Sequence, residues 1–329
     1  MARIALDAMG GDHAPRAAIA GALLALAELP APHRIQLVGQ PPVIEAELAS
    51  LNADRSRLEI VPAAEVIAMT DKPSVALRSK ASSMVVGLEL QPRGLSDAFV
   101  SAGNTGAQMA ASMRILKLMP GLERPAIGTL FPTALQPVLV LDSGANVDCS
   151  ADELLQFARL GAVYAEDLLG RANPVIGLLS IGEEDEKGNA VVKEANALLR
   201  ASGLNFQGNV EGRDIPQGRS ERGPIDVVVC DGFVGNILLK FYEAAGPVIM
   251  RMMVERLGLD ASKVRKGFSE FDYTEQGGAP LLGVSGVSII SHGKSNDRAI
   301  KNAIRVALRA VESGMTEHAS RRLSQSVSA

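Results

Sequence analysis

Apolar positions along this chain alternate between two rhythms. Short, nearly unbroken runs such as RIALDA (3–8), HRIQLVG (33–39) and LEIVPA (58–63) are each followed by a longer stretch with helical spacing: PRAAIAGALLALAEL, PPVIEAELASL and VALRSKASSMVVGLEL. The first rhythm predicts strands and the second helices. Further runs continue the pattern at DAFVSA, AIGTLF, PVLVLD, PVIGLLSIG, NFQGNV, DVVVCDG and VSIISHG. Most are rich in Val, Ile and Leu and show little period-two alternation, so both faces of the sheet must be covered. The fold class expected is therefore α/β, doubly wound around a largely parallel sheet with right-handed crossovers. No linker or solenoid repeat divides the chain, which predicts a single α/β domain over 1–329, although 329 residues would also fill two smaller lobes. The exception is 237–280, which lacks a strong strand pattern and predicts a helical projection.

Several strands end in small, amide-rich loops. GGDHAP (10–15), SAGNTGAQ (101–108), DSGANVD (142–148) and DGFVGN (231–236) all follow a predicted strand and precede a predicted helix or turn. At a strand-to-helix turn the first N–H groups of the helix lack partners and carry the positive end of its dipole, so an anion fits there. An ordinary turn capped by Asn104 or Thr105 is the simpler alternative. In a parallel sheet these loops share the carboxyl edge and should converge. None has the pattern of a P-loop or of a dinucleotide fingerprint, so the anion need not be a nucleotide.

Charged and hydroxylic residues extend this picture. Arg78 and Ser82 fall one turn apart if VALRSKASSMVV is one helix, with Lys80 and Ser83 beside them, and a guanidinium with a hydroxyl suits an oxyanion. A solvated helix face is the alternative. Lys187 sits in EEDEKGN behind four acids, which keep it protonated and suit it to be a fixed cation rather than a base. His13 and His292 follow strand-terminal turns, where an imidazole can donate to phosphate or protonate a leaving group, or simply pack. Asp7, Asp142 and Asp231 end strands and suit turn capping better than a metal cluster.

Composition narrows the classes. A net charge of −4, 3% aromatics and no Trp offer neither a basic field nor a stacking platform, so nucleic acid is not expected as a partner. Two cysteines, Cys149 and Cys230, without a CxxC pair or His cluster, indicate neither disulfide framework nor zinc site, which fits a reducing cytoplasm. The N-terminus reaches Asp7 too soon for a signal peptide, and the apolar stretch 17–27 is far below the ~20 residues that span a bilayer. No nucleophile elbow or activated cysteine implies a covalent enzyme intermediate.

The motifs DAMGGDHAP (7–15), ALRSKASSM (76–84), SAGNTGA (101–107), RPAIG (124–128), LDSGANVD (141–148), IGEEDEKGN (181–189), NFQGNVEGRDI (205–215), DVVVCDGFVGNILLK (226–240) and GGAPLLG (277–283) occur in this order. Together they resemble the PlsX family, the phosphate acyltransferases of bacterial phospholipid synthesis. The resemblance runs from residue 3 to about 310, is weakest over 245–272, and has Ser143 where the family pattern suggests Val. It implies a fold like that of isocitrate and isopropylmalate dehydrogenases and of phosphotransacetylases. It also implies transfer of a fatty acyl group from acyl carrier protein to inorganic phosphate, homodimers, and no metal or other cofactor. A membrane glycerol-3-phosphate acyltransferase would consume the product. On this basis Lys187, Asn236 and His13 are the expected catalytic residues. Asp7, Gly10, Gly11, Asp12, Arg78, Lys80, Ser82, Ser83, Asn104, Thr105, Asn146 and Asp231 are expected to bind phosphate or substrate. An NAD-dependent hydroxy acid dehydrogenase on a related fold and a non-catalytic scaffold for acyl carrier protein are the competing readings.

Residues 241–257, FYEAAGPVIMRMMVERL, place Phe241, Ala245, Val248, Ile249, Met252, Met253 and Leu257 on one stripe, with Glu243, Arg251 and Glu255 opposite. Pro247 predicts a break into two helices. The stripe suits a core or dimer-interface helix, or an amphipathic tip on the inner face of the cell membrane. Arg251, Arg256, Lys263, Arg265 and Lys266 could instead meet an acidic carrier protein.

Overall fold

The computed structural model describes residues 1–268 and 277–327. The chain divides into two compact units, Met1–Met119 with Gln276–Ser320, and Pro120–Glu275 with Arg321–Ala329.

The first unit opens as the periodicity predicts: β1 (Arg3–Asp7), α1 (Arg16–Glu28), β2 (Arg34–Gly39), α2 (Pro41–Ser50) and β3 (Leu58–Pro62). Two short helices, α3 (Ser74–Arg78) and α4 (Ser83–Glu89), lead to β4 (Ala98–Ser101) and α5 (Thr105–Ile115).

The second unit carries β5 (Ala126–Ile127), β6 (Thr129–Phe131), β7 (Val138–Leu141), α6 (Ala151–Leu169), β8 (Ile176–Leu179), α7 (Ala190–Ala201) and β9 (Phe206–Val210). It continues through α8 (Asp214–Gln217), the small hairpin β10 (Arg219–Ser220) and β11 (Gly223–Pro224), then β12 (Val227–Val229), α9 (Gly232–Leu257) and α10 (Ala261–Gly267). The chain returns to the first unit with β13 (Ala279–Leu282), β14 (Ser288–Ile290) and α11 (Asp297–Glu312), and closes with α12 (Met315–Val327).

Within the first unit the strands are ordered β3-β2-β1-β4-β14-β13. All neighbours are parallel except β13 and β14. The chain builds outward from β1 to β3 and then returns to the other side of β1 as β4, so strand order reverses between β1 and β4. That reversal opens a crevice beyond their carboxyl ends. The second unit orders its main sheet β6-β7-β12-β8-β9, with β6 antiparallel and the rest parallel. Here the carboxyl ends of β7, β12 and β8 are neighbours. The doubly wound α/β class expected from the sequence is the class observed.

Strands without alternation are buried on both faces: all four residues of β4 and β7 and all three of β12 are buried. Each Val, Leu or Phe so placed contributes roughly 1.5–3 kcal/mol of transfer free energy. In the second unit Phe131, Val138, Val140, Val210 and Val228 form one cluster, against which the Tyr242 ring packs edge-on to Phe131 with centroids 4.8 Å apart. Helix starts follow local chemistry, as at α6, where Ser150 and Glu153 form a reciprocal capping box.

Three expectations need correction. Pro247 does not divide its stretch: α9 runs unbroken from Gly232 to Leu257 with the proline inside. The helical segment is also shorter than 237–280, since β13 begins at Ala279; residues 269–276 of it lie outside the described residues. Nor is α9 a core helix. Its buried residues are Gly232, Gly235 and Gly246, whereas Phe241 is 67% and Leu257 68% exposed.

Candidate active site

In the first unit the loops after β1 and β4 are tied together by one buried carboxylate. Asp7 accepts hydrogen bonds from the Met9 N–H at 3.1 Å and from Ser101 Oγ at 2.8 Å, and Ser101 Oγ in turn accepts from the Gly103 N–H at 3.0 Å. Ser83 also bonds to Asp7. Burial pushes the Asp7 carboxyl above its usual range, and these hydrogen bonds pull it partly back. Gly10 fits against this knot because it has no side chain: a β-carbon there would lie 2.7 Å from Asp7 Oδ2, 2.8 Å from Ser101 Oγ and 2.9 Å from Gly103 N. Gly11 has φ +100°, a conformation glycine adopts without steric cost, and the next N–H, of Asp12, donates to the Gly293 carbonyl at 2.8 Å. The GGDH, SAGNTG and SHGK loops thus meet at the strand-order reversal. Ser101, which holds two of them together, had no expected role because its function is a contact to a residue 94 positions away.

The expected phosphate residues divide. Asp12, His13 and Thr105 are exposed on these loops. Thr105 and Gly106 supply first-turn N–H groups of α5, ahead of the helix's own ladder, which begins with Gln108 N–H to Asn104 O. The Asn104 side chain is occupied in holding the fold. Its Oδ1 accepts from Ala107 N–H, capping α5, and its Nδ2 donates to the carbonyls of Ala68, Met69 and Asp71 at 3.3, 3.1 and 2.8 Å. Arg78 and Ser82 do not share a helix face, because α3 ends at Arg78 and Ser82 caps α4. Ser82 and Ser83 are buried, while Arg78 and Lys80 are exposed.

In the second unit the loops after β7 and β12 meet around Asp142, which is fully buried. Its carboxylate receives N–H groups from Ile127, Gly144, Ala145 and Asn146 and the Asn146 side-chain amide, at 2.7–3.1 Å. Burial raises its pKa against the pull of those donors. Asn146 spends its side-chain amide on Asp142 and on the Pro125 carbonyl at 2.8 Å, and its backbone carbonyl accepts the Gly232 N–H at 2.7 Å. Asp231 caps α9 by accepting from Val234 N–H at 2.8 Å. Asn146 and Asp231 therefore position the loops, and neither presents a free donor to an anion.

The first turn of α9 lies directly over Asp142. A β-carbon on Gly235 would come within van der Waals overlap of the Asp142 carbonyl, so the close approach requires the glycine of DGFVGN. This sets Asn236, exposed, against Gly144, whose φ is +129°. Lys187 lies in the loop after β8, also exposed, its stem across Gly182. The loop is pinned by others: Asn209 Nδ2 donates to the Glu184 carbonyl at 2.8 Å, Arg222 to the Glu183 carbonyl at 3.0 Å, and Arg200 pairs with Asp185. Two of the four acids expected to crowd Lys187 are thus engaged by arginines, Glu183 by Arg213 and Asp185 by Arg200. Burial and the neighbouring Glu221 and Asp214 raise the Glu183 pKa. Among the described residues no three His, Cys, Asp or Glu side chains gather as a metal site.

A family model described as "Fatty acid synthesis protein" matches residues 2–318. A curated phosphate acyltransferase from Heliobacterium modesticaldum is 50% identical over 322 residues, covering 94% of each chain. One from Nostoc punctiforme is 48% identical over 324 residues, covering 94% of this chain and 93% of its own. The chain belongs to the PlsX phosphate acyltransferase family. The phosphotransacetylase of Streptococcus pyogenes shares the fold of this PlsX-family chain with a TM-score of 0.64 at 20% identity, covering 94% of both chains. The EutD phosphotransacetylase of Staphylococcus aureus does so with a TM-score of 0.61 at 15% identity, covering 95% of this chain and 94% of its own.

Proposed function

We infer that this chain is an acyltransferase that moves a fatty acyl group from acyl carrier protein to inorganic phosphate, releasing acyl phosphate for phospholipid synthesis. The observation that carries the reading at the level of chemistry is the uncharged rim at the β1–β4 reversal. There the Asp7–Ser101 knot holds the GGDH loop beside the first turn of α5. Backbone N–H groups at a helix start bind a dianion without a tight ion pair that would blunt its attack.

Phosphate near neutral pH is already nucleophilic, so the protein has to position it rather than generate it. In the proposed reaction a phosphate oxygen attacks the thioester carbon, the C–S bond breaks, and the phosphate proton passes to the departing sulfur. His13, exposed on the GGDH loop, is assigned to carry that proton. Asn236 and Lys187 are assigned to the carbonyl oxygen as it gains charge, with Asp142, Asn146 and Asp231 fixing the loops that bear Asn236. Arg78 and Lys80 serve as supporting cations. Neutral donation by Asn236 and charge from Lys187 act on the transition state more than on the ground state.

Acyl phosphate formation from acylated carrier protein and labelled orthophosphate tests the activity directly. Asn236→Ala and Lys187→Ala should each lower kcat by about 10²-fold, the usual effect of a lost oxyanion donor, and activity within about threefold of wild type removes them from the mechanism.

The exposed stripe of α9 supports two further assignments: a homodimer contact along its first half, and a peripheral contact with the inner face of the cell membrane at its far end. The product would then reach a membrane glycerol-3-phosphate acyltransferase without crossing water. No helix among the described residues is long and apolar enough to cross a membrane. Reversing Arg251 and Arg256 to Glu should weaken flotation with anionic vesicles; unchanged flotation rejects the membrane contact.

A further inference from the structure

Beside the Asp7 loop, wholly within the first unit, lies an apolar groove of about 650 Å³, in the ~300–1,000 Å³ range of small-molecule sites. Its walls come from the start of α2 (Pro41 and Val43), the end of β3 (Pro62 and Ala64) and the segment before α4 (Lys80 and Ala81). Polar groups along these walls bond to one another. Gln40 Nε2 donates to the Ala64 carbonyl at 3.1 Å, Ala63 N–H to the Gly39 carbonyl at 2.8 Å, and Glu65 N–H to the Ala81 carbonyl at 3.0 Å. What the walls offer a ligand is therefore hydrocarbon and one cation, since Lys80 alone among the lining residues is ionisable.

The groove's walls are joined to the loop after β1 on two sides. Gly39, the residue before the lining Gln40, packs against Met9 of the loop after β1, where a β-carbon would lie 2.7 Å from Met9 Cγ. On the other side Ala81 leads through Ser82 to Ser83, which bonds to Asp7. A long alkyl chain with an anionic head matches such a site: the chain against proline, valine and alanine, the head at the lip. We propose that this groove holds the acyl chain of the substrate and of the acyl phosphate product, with Lys80 pairing with the phosphate head. The proposal rests on the acyl transfer reading for the identity of the head group.

Calorimetry of the full chain with straight-chain alkylphosphonates of increasing length tests it. Wild type should bind roughly fourfold more tightly per added methylene until the chain outruns the groove, from the transfer free energy of one buried methylene. Ala64→Trp and Val43→Trp, each checked for cooperative thermal unfolding, should flatten that slope below about twofold per methylene. Lys80→Ala should weaken every chain length by a common factor and leave the slope. A second arm needs no variant: a long alkylphosphonate with a photoreactive chain end should label wild type on the peptides holding Pro42–Val43 and Pro62–Ala64. A slope unchanged in both tryptophan variants, or labelling confined to other peptides, overturns the proposal. Acyl phosphate formed with no chain-length dependence sinks the groove alone, whereas steep phosphonate binding without acyl phosphate formation sinks the acyl transfer reading and leaves the groove.

Discussion

Asp142→Asn tests whether one buried carboxylate holds the loops after β7 and β12 in place. The native side chain takes three N–H contacts on each oxygen: Ile127, Gly144 and Ala145 on Oδ1, and Ala145, Asn146 and the Asn146 amide on Oδ2. An asparagine keeps one accepting oxygen and turns an NH₂ toward the other set. If the oxygen stays on the Oδ1 side, the Asn146 N–H loses its 2.7 Å acceptor and its side-chain amide faces another donor. If the amide flips, the N–H groups of Ile127 and Gly144 are stranded instead. Each stranded buried donor costs about 1–3 kcal/mol, and the remaining bonds lose their charge assistance, so the substitution should destabilise by about 3 kcal/mol. Urea unfolding followed by circular dichroism measures this. The same loop sets Gly144 against Asn236, so kcat for acyl phosphate formation in the folded fraction should fall at least about tenfold, a partial loss of the 10²-fold typical for an oxyanion donor. A change in stability below about 1 kcal/mol would refute the hydrogen-bond reasoning. Lost stability with unaltered kcat would show that Asn236 does not depend on the loop beneath it.

Asp7→Asn makes a pH prediction. Burial raises the Asp7 pKa, so the folded state binds this proton more tightly than the unfolded chain. The stability this contributes is fully present below the unfolded carboxyl pKa of about 4 and is lost as pH rises through the folded value. Unfolding free energies of wild type minus Asp7→Asn should therefore decline from acid to neutral pH; a difference that grows with pH contradicts the assignment. Pro247→Ala in α9 restores a backbone donor and removes a ring from a helix interior. It should stabilise by up to about 3 kcal/mol, since the site is solvent-exposed. A thermal midpoint that does not rise would mean the proline ring makes contacts that offset its missing N–H.

Local pattern carried most of the fold into the sequence. β4 and β12 were legible because a strand buried on both faces must be apolar without alternation. Pro247 misled because a proline's cost is local while the amphipathic face of α9 continues on either side, and the helix tolerates the missing bond where the backbone is exposed. VALRSKASSMVV misled in the opposite sense. Nothing in its composition announces a break, but Ser79 Oγ accepts the Ser82 N–H at 3.0 Å and Glu65 N–H bonds to the Ala81 carbonyl, so tertiary hydrogen bonds replace a turn of helix.

The site divides along the same line between what is local and what is not. Glycines were legible as a class, since a strand-to-helix loop with two of them asks for close approach or positive φ, and Gly10, Gly11, Gly144 and Gly235 each supply one or both. Amides were not. Asn104 and Asn236 stand in loops of nearly the same composition, yet Asn104 is consumed by a helix cap and three carbonyls from residues 68–71, while Asn236 stays exposed against Gly144. The difference lies in what the rest of the chain brings up to each loop. An asparagine that satisfies four backbone groups buries its polarity and stiffens the turn, which preorganises the N–H groups of Thr105 and Gly106 at no cost in charge. The outward-facing asparagine gives up that stabilisation and leaves its donor at the surface, where the proposed reaction would use it on a substrate oxygen. The proposed acyl transfer, to a nucleophile that arrives already ionised, has a place for both uses: one amide to hold a neutral rim rigid, and one to meet negative charge only as it develops.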